Sequence, residues 1–144
     1  MGVLDTLYVV LVNANAFVAC VEFSISYPPS LTWIADLDLP PIIIPPGSGT
    51  PTGIGFCWDP PRNGFTPIQI LRVVVAWNCD TCEPVFLDGP IVVLPNPLTG
   101  GAYPHYTTWP DWIERDAIGM TALTCATVST EETTWGKVKV LYVE

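Results

Sequence analysis

Charge, and positive charge above all, is scarce in this chain of 144 residues. Charged residues make up 13% of it, about half of the share that is usual in soluble globular domains. There are 5 basic residues against 14 acidic ones, and none of the basic residues occurs before Arg62. Because phosphate binding needs a basic surface, we expect no nucleic-acid partner and no attraction to an anionic membrane surface.

Long hydrophobic runs are also missing. No apolar stretch approaches the roughly 18 residues that would cross a bilayer, so we predict no membrane span. The first residues have a short apolar centre, but they carry Asp5 and lack a positive n-region. We therefore expect them to belong to the fold and not to a signal peptide, while the removal of a signal upstream of Met1 stays open.

Sites for N-linked sugars are absent, because no asparagine is followed at the second position by serine or threonine. Any sugar decoration would then be O-linked. The candidate acceptors are Ser48, Thr50 and Thr52 in the proline-rich loop 39–53, where five prolines and three glycines surround an isoleucine triplet.

Residues for catalysis are few. The single histidine, His105, would have to be the base of any hydrolytic triad, and we expect instead an exposed loop histidine. Loop acids that could form a carboxylate pair are Asp111, Glu114 and Asp116, or Asp36 and Asp38. Such acids are usually solvated, and neither a phosphate-binding glycine loop nor a calcium loop is present. We predict no enzyme, no cofactor and no metal.

Cysteine is the one reactive residue type that is well represented. The five cysteines are Cys20, Cys57, Cys79, Cys82 and Cys125. Because their number is odd, at most two pairs close within the chain and one thiol is left over. The pair in "CDTC" follows a strong strand and precedes helix-breaking residues, which disfavours a thioredoxin-like motif. We expect a structural bridge within that loop, or from it to Cys125 or Cys57.

Strand patterns dominate the rest of the chain. In residues 16–27 a period of two puts Phe17, Ala19, Val21, Phe23 and Ile25 on one face. Further short strands are predicted at 6–12, 42–44, 54–58, 68–77, 89–97 and 120–128. Short strands separated by glycine and proline, without a convincing helix, predict a single all-β domain over 1–144. We expect an immunoglobulin-like antiparallel β-sandwich, and a strand from a neighbouring subunit could complete it.

Aromatic residues are numerous, with six tryptophans and five tyrosines. Trp109 and Trp112 in "TTWPDWIERD" are the best local candidates for glycan contact, since sandwich modules often stack aromatic rings on pyranose faces. Such residues are also typical of a small core or a subunit interface, and both interpretations stay open.

The order of several segments carries a family resemblance. "LYVVLVNANAFVACVEFSISYPPSLTWIAD", "VVAWNCDTC", "VVLPNPLTG", "GMTALTCATV" and "EETTWGKVKVLY" together resemble uncharacterised secreted bacterial β-sandwich domains that end in a Thr-Trp-Gly-x-(Ile/Val)-Lys-x-Leu-Tyr run. The resemblance implies an extracellular fold without known enzymatic activity and transfers no catalytic residue. Relatives of this type often have one more strand before the one at "TLYVV", so the resemblance also implies an open edge.

These observations favour a secreted structural subunit that assembles with copies of itself into an extracellular fibre or pilus-like filament. The exchanged element would be the first strand, with Leu7, Val9, Val10 and Leu11, or the C-terminal strand. Two alternatives are a carbohydrate-binding or adhesive module and a viral coat or decoration protein.

Overall fold

The computed structural model describes residues 4–40, 42–43, 49–78, 90–118 and 139–143. Within these ranges the chain forms ten strands and no helix, which confirms the all-β prediction. The strands are β1 (Leu4–Leu11), β2 (Phe17–Ser26), β3 (Leu31–Leu37), β4 (Ile42–Ile43), β5 (Ile54–Asn63), β6 (Ile68–Trp77), β7 (Val92–Leu94), β8 (His105–Trp109), β9 (Glu114–Asp116) and β10 (Lys139–Val143).

The first sheet has the strand order β10-β1-β6-β3. β1 lies antiparallel to β6 along its whole length, with a bulge after Val9. On its other side, Leu7 to Leu11 of β1 pair in parallel with β10, and Leu7 lies opposite Lys139. The first strand is therefore an interior strand, and β3 and β10 are the edges among the strands that the structure describes.

The second sheet has the order β4-β5-β2-β8-β9, and all its pairs are antiparallel. β2 has ten residues and is longer than β8. Its last residues, Ser24 to Ser26, extend past β8 and pair with β7 instead. The central position of β2 brings the ends of β5 and β8 to the residue where β2 begins.

The two sheets pack face to face over a shared apolar core, as in a β-sandwich. Alternate residues of β1 and β5 point inward, which is the period expected for strands covered on one face. The largest side chains with less than 2% exposure are Phe56, Leu7, Leu11, Ile25, Ile54, Leu71, Ile91, Val9, Val18, Val73 and Val75.

A buried polar cluster attaches β3 to the segment that precedes β5. The Thr50 hydroxyl donates to Asp36 Oδ1 at 2.8 Å, and the Thr50 N–H donates to Asp36 Oδ2 at 2.8 Å. Trp33 Nε1 donates to the same carboxylate at 3.0 Å, and the Tyr27 hydroxyl lies 2.8 Å from that of Thr50. Burial raises the pKa of the Tyr27 phenol far above its ordinary value. Every polar group in this cluster has a partner, so its burial is tolerated.

Two local predictions need correction, and one strand has no counterpart among them. β3 was not predicted, because a bulge between Trp33 and Ala35 interrupts its alternation and leaves Ile34 47% exposed. β5 continues past Trp58 through the "DPPR" segment that looked like its end. The segment predicted as a loop around His105 forms β8 and β9. The strand predicted at 120–128 lies outside the described residues.

Candidate functional site

Three exposed aromatic rings lie together at the end of the sandwich where β2 begins, and the middle ring contacts the other two. Phe17, Phe65 and Trp109 are 41%, 64% and 42% exposed. Phe17 is the middle ring, with its centroid 6.1 Å from that of Phe65 and 6.3 Å from that of Trp109, and both pairs are inclined at 80°. We call these three residues the aromatic cluster. Edge-to-face contacts of this kind stabilise the rings against one another and leave their other surfaces open.

The strand register assembles the aromatic cluster. Phe17 is the first residue of β2 and lies opposite Asn63 of β5 on one side and opposite Trp109 of β8 on the other. Phe65 follows in the turn after β5, where its N–H donates to Asn63 Oδ1 at 3.0 Å. Gly64 packs so tightly that an added Cβ would lie 2.2 Å from a backbone oxygen of the β1–β2 loop. The rings therefore stand on strand ends and one tight turn.

The turn between β8 and β9 presents two further apolar side chains, Trp112 at 63% and Ile113 at 49% exposure. Trp112 has a φ of 56°, a left-handed conformation that costs a bulky residue on the order of 1 kcal/mol. The buried Thr108 holds the turn, because its N–H donates to the Ile113 carbonyl at 2.9 Å and its hydroxyl donates to Asp111. That hydroxyl keeps the pKa of Asp111 below its usual value. A strained turn that exposes a tryptophan is typical of a functional surface.

A bulge in β5 opens a groove whose lining includes Asn63, the residue opposite Phe17. One residue separates Val18 from Cys20 in β2, whereas residues 58–61 separate their partners Arg62 and Cys57 in β5. The extra residues form a groove of about 570 Å³. Its lining consists of Asp38, Pro40, Cys57, Trp58, Asp59, Pro60, Pro61, Arg62 and Asn63. Bulges of this kind are frequent beside functional sites, where they redirect side chains.

His105 differs from the exposed loop histidine that the sequence predicted. It begins β8, its side chain is 15% exposed, and its Nδ1 lies 3.3 Å from Glu114 Oε1 and 3.1 Å from Asp116 Oδ1. The cross-strand register explains this contact, since Asp116 lies directly opposite His105 in β9. The imidazole thus faces two carboxylates of the short edge strand β9.

The second candidate carboxylate pair, Asp36 and Asp38, has separate partners. Asp36 belongs to the buried cluster with Thr50. Asp38 accepts from both Nε and Nη2 of Arg72, the latter at 3.0 Å, and this hydrogen bonding lowers the pKa of Asp38. The two carboxylates are therefore each bound to a different group, and the absence of enzymatic activity stays a prediction. Asp111 is held by the turn described above.

The candidate O-glycosylation residues differ in accessibility. Thr50 is fully buried and its hydroxyl is bound to Asp36, so the folded chain does not present it to a transferase. Thr52 is exposed. Ser48 lies outside the described residues.

One disulfide closes between Cys20 and Cys57, which lie directly opposite each other in β2 and β5 with a Cα–Cα distance of 4.0 Å. This confirms a disulfide and removes the alternative in which Cys57 pairs with the "CDTC" segment. Cys79, Cys82 and Cys125 lie outside the described residues. Because three cysteines then remain, at most one more pair can form within the chain.

The predicted assembly strand lies inside the protomer. Leu7, Val9 and Leu11 of β1 are 0–1% exposed and belong to the core, whereas Val10 is half-buried on the other face. An exchanged β1 would have to leave both neighbouring strands and the core, at a large cost in buried apolar area. Strand exchange itself stays a prediction.

Among the residues that the structure describes, no helix is long and apolar enough to cross a membrane. The same residues contain no group of histidine, cysteine and acidic side chains placed to bind a metal ion. Comparison of the chain with protein-family models, curated proteins and solved structures finds no match. The resemblance to secreted bacterial sandwich domains therefore stays a prediction.

Proposed function

We propose that this protein is an extracellular, non-catalytic carbohydrate-binding or adhesive module that contacts a glycan with its aromatic cluster. The observation that carries the proposal is the exposure of three touching rings, Phe17, Phe65 and Trp109, at one end of the sandwich. Burial of apolar surface gains about 25 cal/mol per Å², so a contiguous aromatic patch left open is typical of an interaction surface. The apolar C–H face of a pyranose ring complements an aromatic ring.

Two other features agree with this proposal. The disulfide between Cys20 and Cys57 is typical of proteins that fold in an oxidising compartment, which supports an extracellular location. Two of the rings stand on paired strands and the third on a tight turn, and a rigid platform loses little conformational entropy when a ligand binds. Trp112 in the neighbouring turn adds apolar surface that a longer glycan can reach.

The test is binding of the purified chain to a panel of soluble polysaccharides by affinity electrophoresis and calorimetry. We expect Trp109→Ala to weaken binding by about tenfold or more, because buried aromatic anchors dominate such interfaces. Trp112→Ala should have a smaller effect. Tyr103→Ala is the matched control, since Tyr103 is 48% exposed but precedes β8, at the opposite end of that strand from Trp109.

The proposal is wrong if the intact protein binds no polysaccharide while circular dichroism shows a folded β-protein. It is also wrong if Trp109→Ala and Tyr103→Ala weaken binding equally, because the aromatic cluster would then have no special role.

A fibre-forming structural subunit is the second candidate, and the position of β10 favours it. This strand lies at the edge of the first sheet and, among the described strands, pairs with β1 alone. Release of β10 would leave the Leu7 to Leu11 edge of β1 open to the same strand of a neighbour, a head-to-tail exchange that generates filaments.

Negative-stain images and sizing at high concentration test this second candidate. Filaments made by the intact chain and lost on deletion of 139–144 would support exchange of β10, whereas a monomer at all concentrations would exclude it. Closed shells in the same images would point to the viral coat alternative. Deletion of 1–12 is uninformative, because it removes core residues such as Leu7 and Leu11.

A further inference from the structure

We propose that the groove formed by the β5 bulge extends the glycan site and selects glycans that carry an isolated carboxylate, with Arg62 as its anchor. This inference rests on the proposed function of the aromatic cluster. It assigns the groove a ligand class, uronic-acid-containing oligosaccharides, and gives Arg62 a role in specificity.

The Arg62 side chain is exposed at the groove and is held in place by one aromatic contact. Its guanidinium carbon lies 5.9 Å from the centroid of the Trp58 ring, and Trp58 is only 7% exposed and therefore fixed. A guanidinium over an aromatic face gains cation–π attraction while its N–H groups remain free to donate in their plane. Arg62 is thus oriented before any ligand arrives.

No acidic side chain of the described residues lies within ion-pair distance of Arg62, in contrast to Arg72, which binds Asp38. The chain has 14 acidic residues for 5 basic ones, so acids to pair with an arginine are plentiful. An arginine that lines a groove and pairs with none of the acids that the structure describes can offer its donors to a ligand. Carboxylate is the group whose two oxygens match that planar fork.

The groove is continuous with the aromatic cluster along the backbone. Beyond the bulge, Arg62 lies opposite Val18 and Asn63 lies opposite Phe17, so these two consecutive side chains leave β5 on opposite faces of the sheet. Past Cys57, β5 has no pairing partner on its outer side among the described strands, so its edge there is open. Phe65 follows Arg62 by three residues, so their Cα atoms are at most about 11 Å apart. An oligosaccharide that passes around this edge of β5 can therefore place one sugar against the rings and the carboxylate of another on Arg62.

The groove favours single carboxylates over polyanions. Its volume of about 570 Å³ is in the range that holds one or a few sugar units. Asp59 lines the same groove, and the chain has a net charge of −9, so closely spaced anions would be repelled. Asp59 and Asn63 supply acceptors and an amide for the hydroxyl groups of the neighbouring sugars.

The experiment compares two ligands that differ only in charge: an oligosaccharide of alternating glucuronate and neutral sugar, and the same oligosaccharide after reduction of its carboxyl groups to alcohols. Calorimetry is performed with the intact chain, Arg62→Gln, Arg62→Lys and the control Arg115→Gln. Arg115 is exposed on β9 and does not line the groove. All four proteins are first shown to have the same thermal midpoint within error.

We expect the intact chain to bind the carboxylated ligand about tenfold more tightly than the reduced one, as for a charge-assisted bidentate contact. Arg62→Gln should remove this preference and leave binding of the reduced ligand within about twofold, since the ring contacts are unchanged. Arg62→Lys should retain part of the preference, because a lysine keeps the charge but not the fork. Arg115→Gln should behave as the intact chain.

The outcomes separate this inference from the proposed function. Equal binding of both ligands, with loss of both on Trp109→Ala, overturns the role of Arg62 and leaves the aromatic glycan site in place. Binding of neither ligand overturns both proposals. If a glutamate-rich peptide binds through Arg62 while the carboxylated sugar does not, the ligand class is wrong and the groove recognises acidic peptides.

Discussion

Loss of the Cys20–Cys57 disulfide should lower the thermal midpoint substantially. The bond joins residues 37 apart in sequence, so it closes a loop of about 38 residues in the unfolded chain. In the chain-entropy model a loop of that length is worth about 4 kcal/mol at 25 °C. An unfolding entropy of about 2.1 cal/mol/K per residue gives about 0.3 kcal/mol/K for the whole chain. The double variant Cys20→Ala, Cys57→Ala should therefore unfold about 13 °C below the parent chain.

Thermal and urea unfolding followed by circular dichroism measure this difference. The double variant is preferable to adding a reductant, because a reductant also acts on any bond that Cys79, Cys82 or Cys125 forms. Trypsin does not separate the two half-cystines, since the first basic residue is Arg62. Cleavage after Glu22 places the two cysteines on different peptides. Non-reducing mass spectrometry of that digest must therefore show two peptides joined by a disulfide in the parent chain and none in the variant.

A midpoint shift of less than about 3 °C, with the bond shown by mass spectrometry in the parent chain, would refute the entropic reasoning. A shift well above the expected one would also contradict it, because the excess would have to come from the folded state. A double variant with reductant added is the control, since any further loss then belongs to the remaining cysteines.

Three smaller changes test other parts of the fold. Thr50→Val should cost about 2 kcal/mol of unfolding free energy in urea titrations, because it leaves the half-buried Asp36 carboxylate without a hydroxyl donor. Gly64→Ala should cost about 2 kcal/mol in the same assay and weaken glycan binding, because a Cβ would meet a backbone oxygen at 2.2 Å. Asp38→Asn should lower the thermal midpoint above about pH 4, the usual carboxyl range, because the ion pair with Arg72 stabilises the fold only while Asp38 is ionised. The substitution should have no effect once the pH has fallen through the lowered pKa of Asp38 in the folded chain. A midpoint difference that persists at the lowest pH would contradict the ion-pair explanation.

Much of the strand content could be predicted from local pattern. The β-branched run at 68–77 coincides with β6, because its residues favour an extended backbone irrespective of their neighbours. β4, expected as a short edge strand between prolines, is two residues long at the sheet edge. β3 and β8 were missed for opposite reasons: a bulge disrupts the period of β3, and the glycines and prolines before the five-residue β8 make it look like loop.

The candidate site was only partly predictable. Trp109 and Trp112 could be predicted because they lie three residues apart in one segment with acids nearby, but the period of two places Phe17 on the inward face with Val21 and Phe23. Its exposure follows from the bulge at Ala19, which shifts the register at the start of β2. Such an irregularity depends on the partner strand and leaves no period in the sequence of β2 itself.

Partners that are distant in sequence were beyond local reasoning. Phe65 joins the aromatic cluster only because the turn after β5 returns next to the first residue of β2. Its one local signal was "NG", which marks a turn immediately before it. In the same way, the sequence predicted a bridge within or from the "CDTC" segment, but only the pairing of β2 with β5 brings Cys57 opposite Cys20.

The disulfide, the bulge and the aromatic cluster form one structural unit. Cys20 and Cys57 fix the last regular pair before the bulge, and the pairs beyond it resume at Arg62. Any slip of β5 past β2 would displace Arg62 from Val18 and Asn63 from Phe17 together, and a covalent bond adjacent to the bulge prevents such a slip. On the other side of β2, the Phe17 to Trp109 pair fixes β8. Because ligand groups must be held within a fraction of an ångström, placing this bond next to the most irregular part of the sheet keeps the proposed binding surface in one geometry.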